Sequence, residues 1–505
     1  MLRPLPTALT AALYVLAASA CHGGAPQESP RGEACESDRD CGALTCVADP
    51  EAEPEDLAAL PLACGDASDA GEPGAPCEDD ADCARGVCLL AGACARPCER
   101  ARDCGDLERC QPVFARRGPD ALQTLSACVA IADAPASATV ERQVIEAALE
   151  PPTSRVDLAA TDGAGATLYV IEHGDEPWPN FGECRPALCV RSLRTRDSAP
   201  VELFDAELDY AQADAPRNPV AIGAHLHPAV VMLPIGSASA LSEAGYSVEL
   251  QAEQGGDLHV TRLTSAATGG RLDLNVFYVG ALDWQPEGER GPALLAEALE
   301  IVDDILGQAD IFVGEVRQIA LPGELPMLGT AFPEGHAAQG FAVLRPRYGV
   351  YMELPGLFRL SAGAANTAVN LFFVQEIEAL AVGGEPEAQA GGIPGPLGMH
   401  GTGASGIAIS TDMMDGNADM LGRTLAHEIA HYLGLFHTSE QNGAVYEPLA
   451  DTPECRLDRD EGSDGLSVAD CEAHGADNLM FWAKTTGTAL TEEQRAVLRR
   501  ALILQ

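Results

Sequence analysis

The segment from His427 to His437 reads H-E-x-x-H-x-x-G-x-x-H. His427 and His431 are four apart, so a helix places them on one face, one turn above the other. Two imidazoles at that spacing can hold one Zn²⁺ at about 2.0–2.1 Å each. Glu428 lies beside them, where its carboxylate can take a proton from a water on the metal. Gly434 can adopt φ > 0 without a Cβ penalty, end the helix and turn the chain sharply. That turn returns His437 as a third ligand. Three protein ligands leave one position open, the pattern of a catalytic rather than a structural zinc site. The chain holds 11 histidines in 505 residues. Chance alignment of all five fixed positions is therefore on the order of 10⁻⁴ per chain. The alternative is three histidines packed or solvated on an ordinary helix and turn.

Further downstream stand Asp477-Asn478-Leu479-Met480-Phe481-Trp482 and, before it, Leu449-Ala450-Asp451-Thr452-Pro453-Glu454-Cys455, followed by Cys471. With the histidine motif, these residues resemble the metzincin clan of zinc metallopeptidases, in its pappalysin-type branch. The resemblance covers roughly residues 272–505, and its sharp motifs lie after 420. It implies that Met480 is the methionine of a turn beneath the metal, a soft apolar floor rather than a ligand. It implies one disulfide, Cys455–Cys471, beneath the cleft. It also implies endopeptidase activity on a protein or peptide substrate. Zinc would activate a water, and Glu428 would act as general base and then pass the proton to the leaving amine. One position departs from the pattern. Many relatives carry Tyr two places after the methionine, whereas this chain has Trp482, whose indole N–H donates but cannot ligate.

The elements that must position these residues follow an α/β (α+β) order over residues 271–505. Leu272 to Val279 is an apolar strand, and Pro292 to Gly307 has helical spacing with Leu294, Leu295, Leu299, Val302 and Ile305 on one face. Ile311 to Ile319 and Ala368 to Val374 are further strands, and Gly391 to Gly403 is a Gly/Pro-rich rim loop. Gly406 to Ser410 is a strand that the resemblance makes the edge above the cleft, where an extended peptide can add. The alternative is an ordinary sheet member. Asp419 is the expected N-cap of the motif helix, with Leu421, Leu425 and Ile429 buried away from the metal. Thr491 to Gln494 is a capping box opening a last helix. Two acidic groups, Asp412, Asp415, Asn417 and Asp419, and Asp458, Asp460 and Asp464, raise calcium as a second ion. Neither has EF-hand spacing with a closing Glu, so solvated acidic loops are the favoured reading.

Residues 1–20 read as a secretory signal, with Arg3 ahead of an apolar run too short to span a bilayer. The run ends Ala-Ala-Ser-Ala-Cys21, similar to a bacterial lipoprotein cleavage site, with Cys21 as the lipidated residue and residues 21–34 a tether. Ordinary cleavage after Ala20 is the alternative. The chain has 17 cysteines, and lipidation of Cys21 leaves an even number to pair in an oxidising compartment. Residues 35–128 carry three blocks of four: Cys35, Cys41, Cys46, Cys64; Cys77, Cys83, Cys88, Cys94; and Cys98, Cys104, Cys110, Cys128. Each block allows three connectivities. The blocks are short of apolar residues for a core, so cross-links must hold them. From 137 to 268, short alternating runs between turn residues indicate an antiparallel β-sandwich, an accessory or propeptide domain. Cys184 and Cys189 are near enough in sequence to staple a loop there.

The formal net charge is −45. That argues against nucleic acid as a partner and leaves the lipid at Cys21 as the route to a membrane. The expected location is exported, as a cell-envelope lipoprotein or extracellular protein. A second reading is a non-catalytic surface binding protein, in which the Cys-rich repeats and β-domain do the work around a structural zinc site.

Overall fold

A computed structural model of the chain describes residues 45–48, 62–65 and most of 72–505. The longer stretches outside the described residues are 1–44, 49–61, 174–187, 206–220, 322–342 and 378–387. The signal segment, Cys21, the tether, Cys35, Cys41 and Cys184 lie outside it, as do Asp415, Asp460 and Asp464. The architecture is a β-rich α+β arrangement with several disulfides. Among the described residues no helix is long and apolar enough to cross a membrane.

The first Cys-rich block contributes a two-stranded ladder, β1 (Thr45–Ala48) with β2 (Leu62–Gly65). The second and third blocks merge into one closed barrel of β3 (Val87–Leu89), β4 (Cys94–Pro97), β5 (Glu108–Arg116) and β6 (Leu122–Ala130). The cross-links are Cys77–Cys88, Cys83–Cys94, Cys98–Cys110 and Cys104–Cys128. Both blocks therefore pair first to third and second to fourth. The expectation of blocks without a core needs correction. Val87, Leu89, Val113, Ala127 and Val129 form a small one, which Ala362 of the C-terminal unit completes. Two blocks sharing one barrel bury apolar side chains that either alone would leave wet.

The next unit packs two antiparallel sheets face to face. One orders β11 (Glu202–Asp205), β10 (Leu188–Thr195), β14 (Tyr246–Ala252) and β8 (Thr153–Leu158). The other orders β12 (Ala221–Gly223), β13 (Ala229–Leu233), β9 (Ala166–His173), β15 (Leu258–Ser265) and β7 (Ala138–Ile145). Residues of both sheets, among them Val156, Ile171, Val190, Val231 and Val248, meet in one core. An ion pair between Arg109 and Glu172 joins the barrel to this sandwich.

The C-terminal unit is built on β16 (Arg271–Val279), β17 (Phe312–Ala320), β19 (Ala368–Val374), β21 (Ala388–Ala390) and β22 (Ile407–Ser410). Their order is β17-β16-β19-β22-β21. A small parallel pair, β18 (Val343–Leu344) with β20 (Glu376–Ile377), lies outside that sheet. The first four strands run parallel and β21 runs antiparallel to β22. Parallel strands covered on both faces read as continuous apolar runs, as Ala368–Val374 does with every residue buried. On one face Leu274, Val276, Leu371 and Ile409 pack against α1 (Gly291–Leu306), α2 (Ala418–Tyr432) and α3 (Glu492–Arg499). On the other, Phe277 and Phe372 stack at 4.6 Å beside Phe358, and the barrel's Leu90 and Phe114 close that side.

The edge assignment also needs correction. Ile407–Ser410 is an interior strand, with β21 outside it. The three residues of β21 are too short to signal a strand in the sequence.

Candidate metal centre

The motif residues ride on α2 and the turn that ends it. Asn417 is the N-cap, its side chain accepting from the Met420 N–H at 3.0 Å. Asp419, the expected cap, sits instead in the first turn and pairs with Arg423 one turn on, at 2.5 Å. Both arrangements suit a helix start, because an acidic residue there opposes the positive end of the helix dipole. Leu421, Leu425 and Ile429 are fully buried, which turns the opposite face of α2 toward the cleft. The helix ends at Tyr432, and Gly434, with a φ of +117°, reverses the chain just beyond it.

That reversal brings the three imidazoles to one point. His437 Nε2 lies 3.3 Å from His427 Nε2 and 3.1 Å from His431 Nε2. Imidazoles bound to one tetrahedral Zn²⁺ at about 2.05 Å have their nitrogens about 3.3 Å apart, so the donor set fits such an ion. The opposite ring nitrogens are all engaged. His427 Nδ1 donates to the Leu479 carbonyl at 2.7 Å, His431 Nδ1 to the Leu435 carbonyl at 2.7 Å, and His437 Nδ1 to Glu440 Oε1 at 2.9 Å. With the proton on each Nδ1, every Nε2 lone pair faces the common point. Partners of this kind fix tautomer and ring orientation in metal sites. Burial, reinforced by the neighbouring His437, pushes His427 down to about 4, and burial pushes His431 well below the ordinary value. Neutral rings are the form that binds a metal.

Glu428 points beside this cluster. Burial pushes its carboxyl up to about 7, against the pull of His437 and of a hydrogen bond from the Ala390 backbone. The Ala390 contact sets the carboxyl against β21. Because Gly391 N–H bonds inward to the Gly406 carbonyl at 2.8 Å, strand alternation turns the polar groups of Ala390 outward, into the cleft. An edge strand, a carboxyl and three convergent imidazoles thus share one cleft.

The chain matches no family model, and no curated protein matches it. Among solved structures, metalloproteinase-II from Bacteroides fragilis aligns at 11% identity, over 67% of this chain and 85% of that one, with a TM-score of 0.19.

Below the histidines, Met480 is fully buried in the main core. Its N–H donates to Asn478 Oδ1 at 2.9 Å, and its carbonyl accepts from the Thr438 N–H at 2.9 Å. This turn therefore touches the centre through backbone, since the carbonyl holding His427 belongs to the adjacent Leu479. Cys455 and Cys471 are bonded and buried beside Leu466 and Phe481. Trp482 packs on Phe481, ring centroids 3.9 Å apart. Among the described residues, the histidine trio and two cysteine groups are the clusters whose atoms could hold an ion, and those cysteines are in disulfides. No carboxylate cluster of that kind occurs among them.

Glu440 was missed by the sequence reading. Burial pushes its carboxyl up, but the hydrogen bond and charge of His437 outweigh that and hold it below its ordinary value. The available signal was an acidic residue three places past the third histidine, close enough to fold back on its ring.

Proposed function

We propose that this chain is a zinc-dependent endopeptidase, with His427, His431 and His437 as the zinc ligands and Glu428 as the general base. The observation that supports the reading best is the convergence of three Nε2 atoms with each Nδ1 already committed to a protein acceptor. A zinc ion held there would supply Lewis acidity toward water and toward a peptide carbonyl. The protein's own groups supply the rest. The outer edge of β21 offers backbone donors and acceptors to an extended peptide, and it runs beside Glu428. Glu428, half-buried beside the three imidazoles, is placed to accept a proton from water and return it to the leaving amine. Met480 closes the floor as an apolar, non-ligating side chain. In this reading the substrate is a protein or peptide outside the cytoplasm, and Cys21 carries a lipid that tethers the chain to the envelope.

The test is zinc content and cleavage of an unfolded protein by the full chain, wild type beside Glu428→Ala. The expected result is about one zinc in each, with cleavage by the wild type alone. A wild type without zinc, or a variant that cleaves as well as the wild type, would sink the proposal.

A further inference from the structure

The sandwich unit does not rest on the C-terminal unit by a polar surface. Along β9 and β13 the side chains alternate. Tyr169, Ile171, Ala229, Val231 and Leu233 enter the sandwich core. Leu168, Val170, Val230 and Met232, with Leu263 from β15, enter the same continuous core as Ile429, Ala430, Leu433, Leu435 and Met480. An antiparallel sheet with one wet face alternates apolar and polar residues. This one is apolar on both, and Ala229–Leu233 is buried at every residue.

The contact reaches the metal loop itself. A Cβ at position 434 would fall on Met232 Cε, well inside contact distance. Gly434 is favoured by its positive φ, and the methyl end of Met232 fills the space beside it. The next residue, Leu435, supplies the carbonyl that holds His431 Nδ1, and His437 follows two places on. Met232 thus lies against the turn that carries the anchor of His431 and, two places on, His437.

Resting on the zinc reading above, we propose that the sandwich is a permanent buttress of the metal loop. Met232 is its positioning residue, and the unit stays with the working protein rather than leaving as a propeptide. Cutting it away would expose the apolar faces of both partners and free the turn at Gly434.

The barrel also packs on the C-terminal unit, so the experiment uses the full chain with two specific protease sites, one between Ala130 and Ala138 and one between Ser265 and Gly270, which separate barrel, sandwich and C-terminal fragments. After cutting, the fragments are run on native size exclusion and zinc is counted in each peak. The expected result is one peak holding the sandwich fragment, the 270–505 fragment and the metal, separable only in denaturant. A sandwich fragment that elutes apart while the 270–505 fragment keeps its zinc would overturn the proposal. Alongside, zinc affinity is measured by chelator competition for Met232→Ala and Met232→Leu. Loss of about tenfold or more is expected for alanine, and near-wild-type affinity for leucine, which keeps the volume. Unchanged affinity in the alanine variant would remove Met232 from the positioning role. If the wild type holds no zinc, the metal reading has failed, and co-elution of the fragments still decides whether the sandwich is a permanent part. If Met232→Ala does not fold, the cut chain and the leucine variant decide the matter.

Discussion

Asn478 and Gln494 exchange a reciprocal pair of side-chain hydrogen bonds, 2.8 and 3.1 Å long. Asn478 belongs to the methionine turn and Gln494 to the capping box that opens α3. Gln494 also donates to Glu447 Oε1 at 2.9 Å, and its own Oε1 accepts from the Thr491 N–H at 3.0 Å. Gln494 is fully buried and Asn478 nearly so. Replacing Gln494 with alanine leaves several buried polar groups short of a partner, each costing about 1–3 kcal/mol. The variant should be destabilised by at least about 2 kcal/mol in urea unfolding. A loss under about 0.5 kcal/mol, the usual scale of a surface change, would show that the turn is held by something else.

Among the described residues, Glu440 is the one side-chain carboxylate bonded to a ring of the histidine trio. Glu440→Ala should weaken zinc binding about 10–100-fold in a chelator competition, with the far-ultraviolet circular dichroism unchanged. Equal affinity in the two proteins would mean that His437 is oriented by its turn alone.

Asp273 governs an acid-dependent part of stability. Its buried carboxylate accepts two bonds from Arg271, at 3.0 Å each, one from the Glu315 N–H at 2.8 Å and one from Gln505 Nε2 at 3.1 Å. Burial pushes the carboxyl up, but these partners and Arg317 outweigh it and hold it below its ordinary value. A carboxyl lowered on folding contributes stability that is whole above its unfolded value near 4 and lost as pH falls through its folded value. Asp273→Asn should therefore be least stable relative to wild type at neutral pH, with the gap closing below about pH 4. A gap that stays constant with pH would contradict this role.

His400 should act over a higher window. Its Nε2 donates to the Ala365 carbonyl at 2.8 Å, and Nδ1 accepts from Ser405 Oγ at 2.8 Å and Asn370 Nδ2 at 2.9 Å. Burial lowers it to about 4, against the pull of the Ala365 and Ala368 backbone. The unfolded chain, with an ordinary value near 6.5, binds the extra proton first as pH falls. The contribution is thus whole above about 6.5 and lost on the way down to about 4. Unfolding free energies of wild type and His400→Gln should converge across that range. Parallel curves would show that His400 titrates alike folded and unfolded.

Local spacing carried far in this chain. The apolar runs of β16, β19 and β22, the amphipathic α1 and the capping box at Thr491 were all legible, because each depends on neighbours within a few residues. The edge strand was not, since Ala388–Ala390 becomes a strand only by pairing with Ile407–Ile409. The cysteine pairing was not, since first-to-third and second-to-fourth bonding depends on how the barrel closes.

By itself the sequence determined the candidate ligand set. One helical turn and a glycine are enough to mark His437 as the partner of His427 and His431. Only the tertiary structure decided which groups hold the rings: the Leu479 carbonyl 52 residues away, Leu435 and Glu440. Only it placed Met232, some two hundred residues earlier in the chain, against Gly434. Hydrogen bonds within one turn are written in spacing. Contacts between units depend on which apolar faces the whole chain leaves to be buried together.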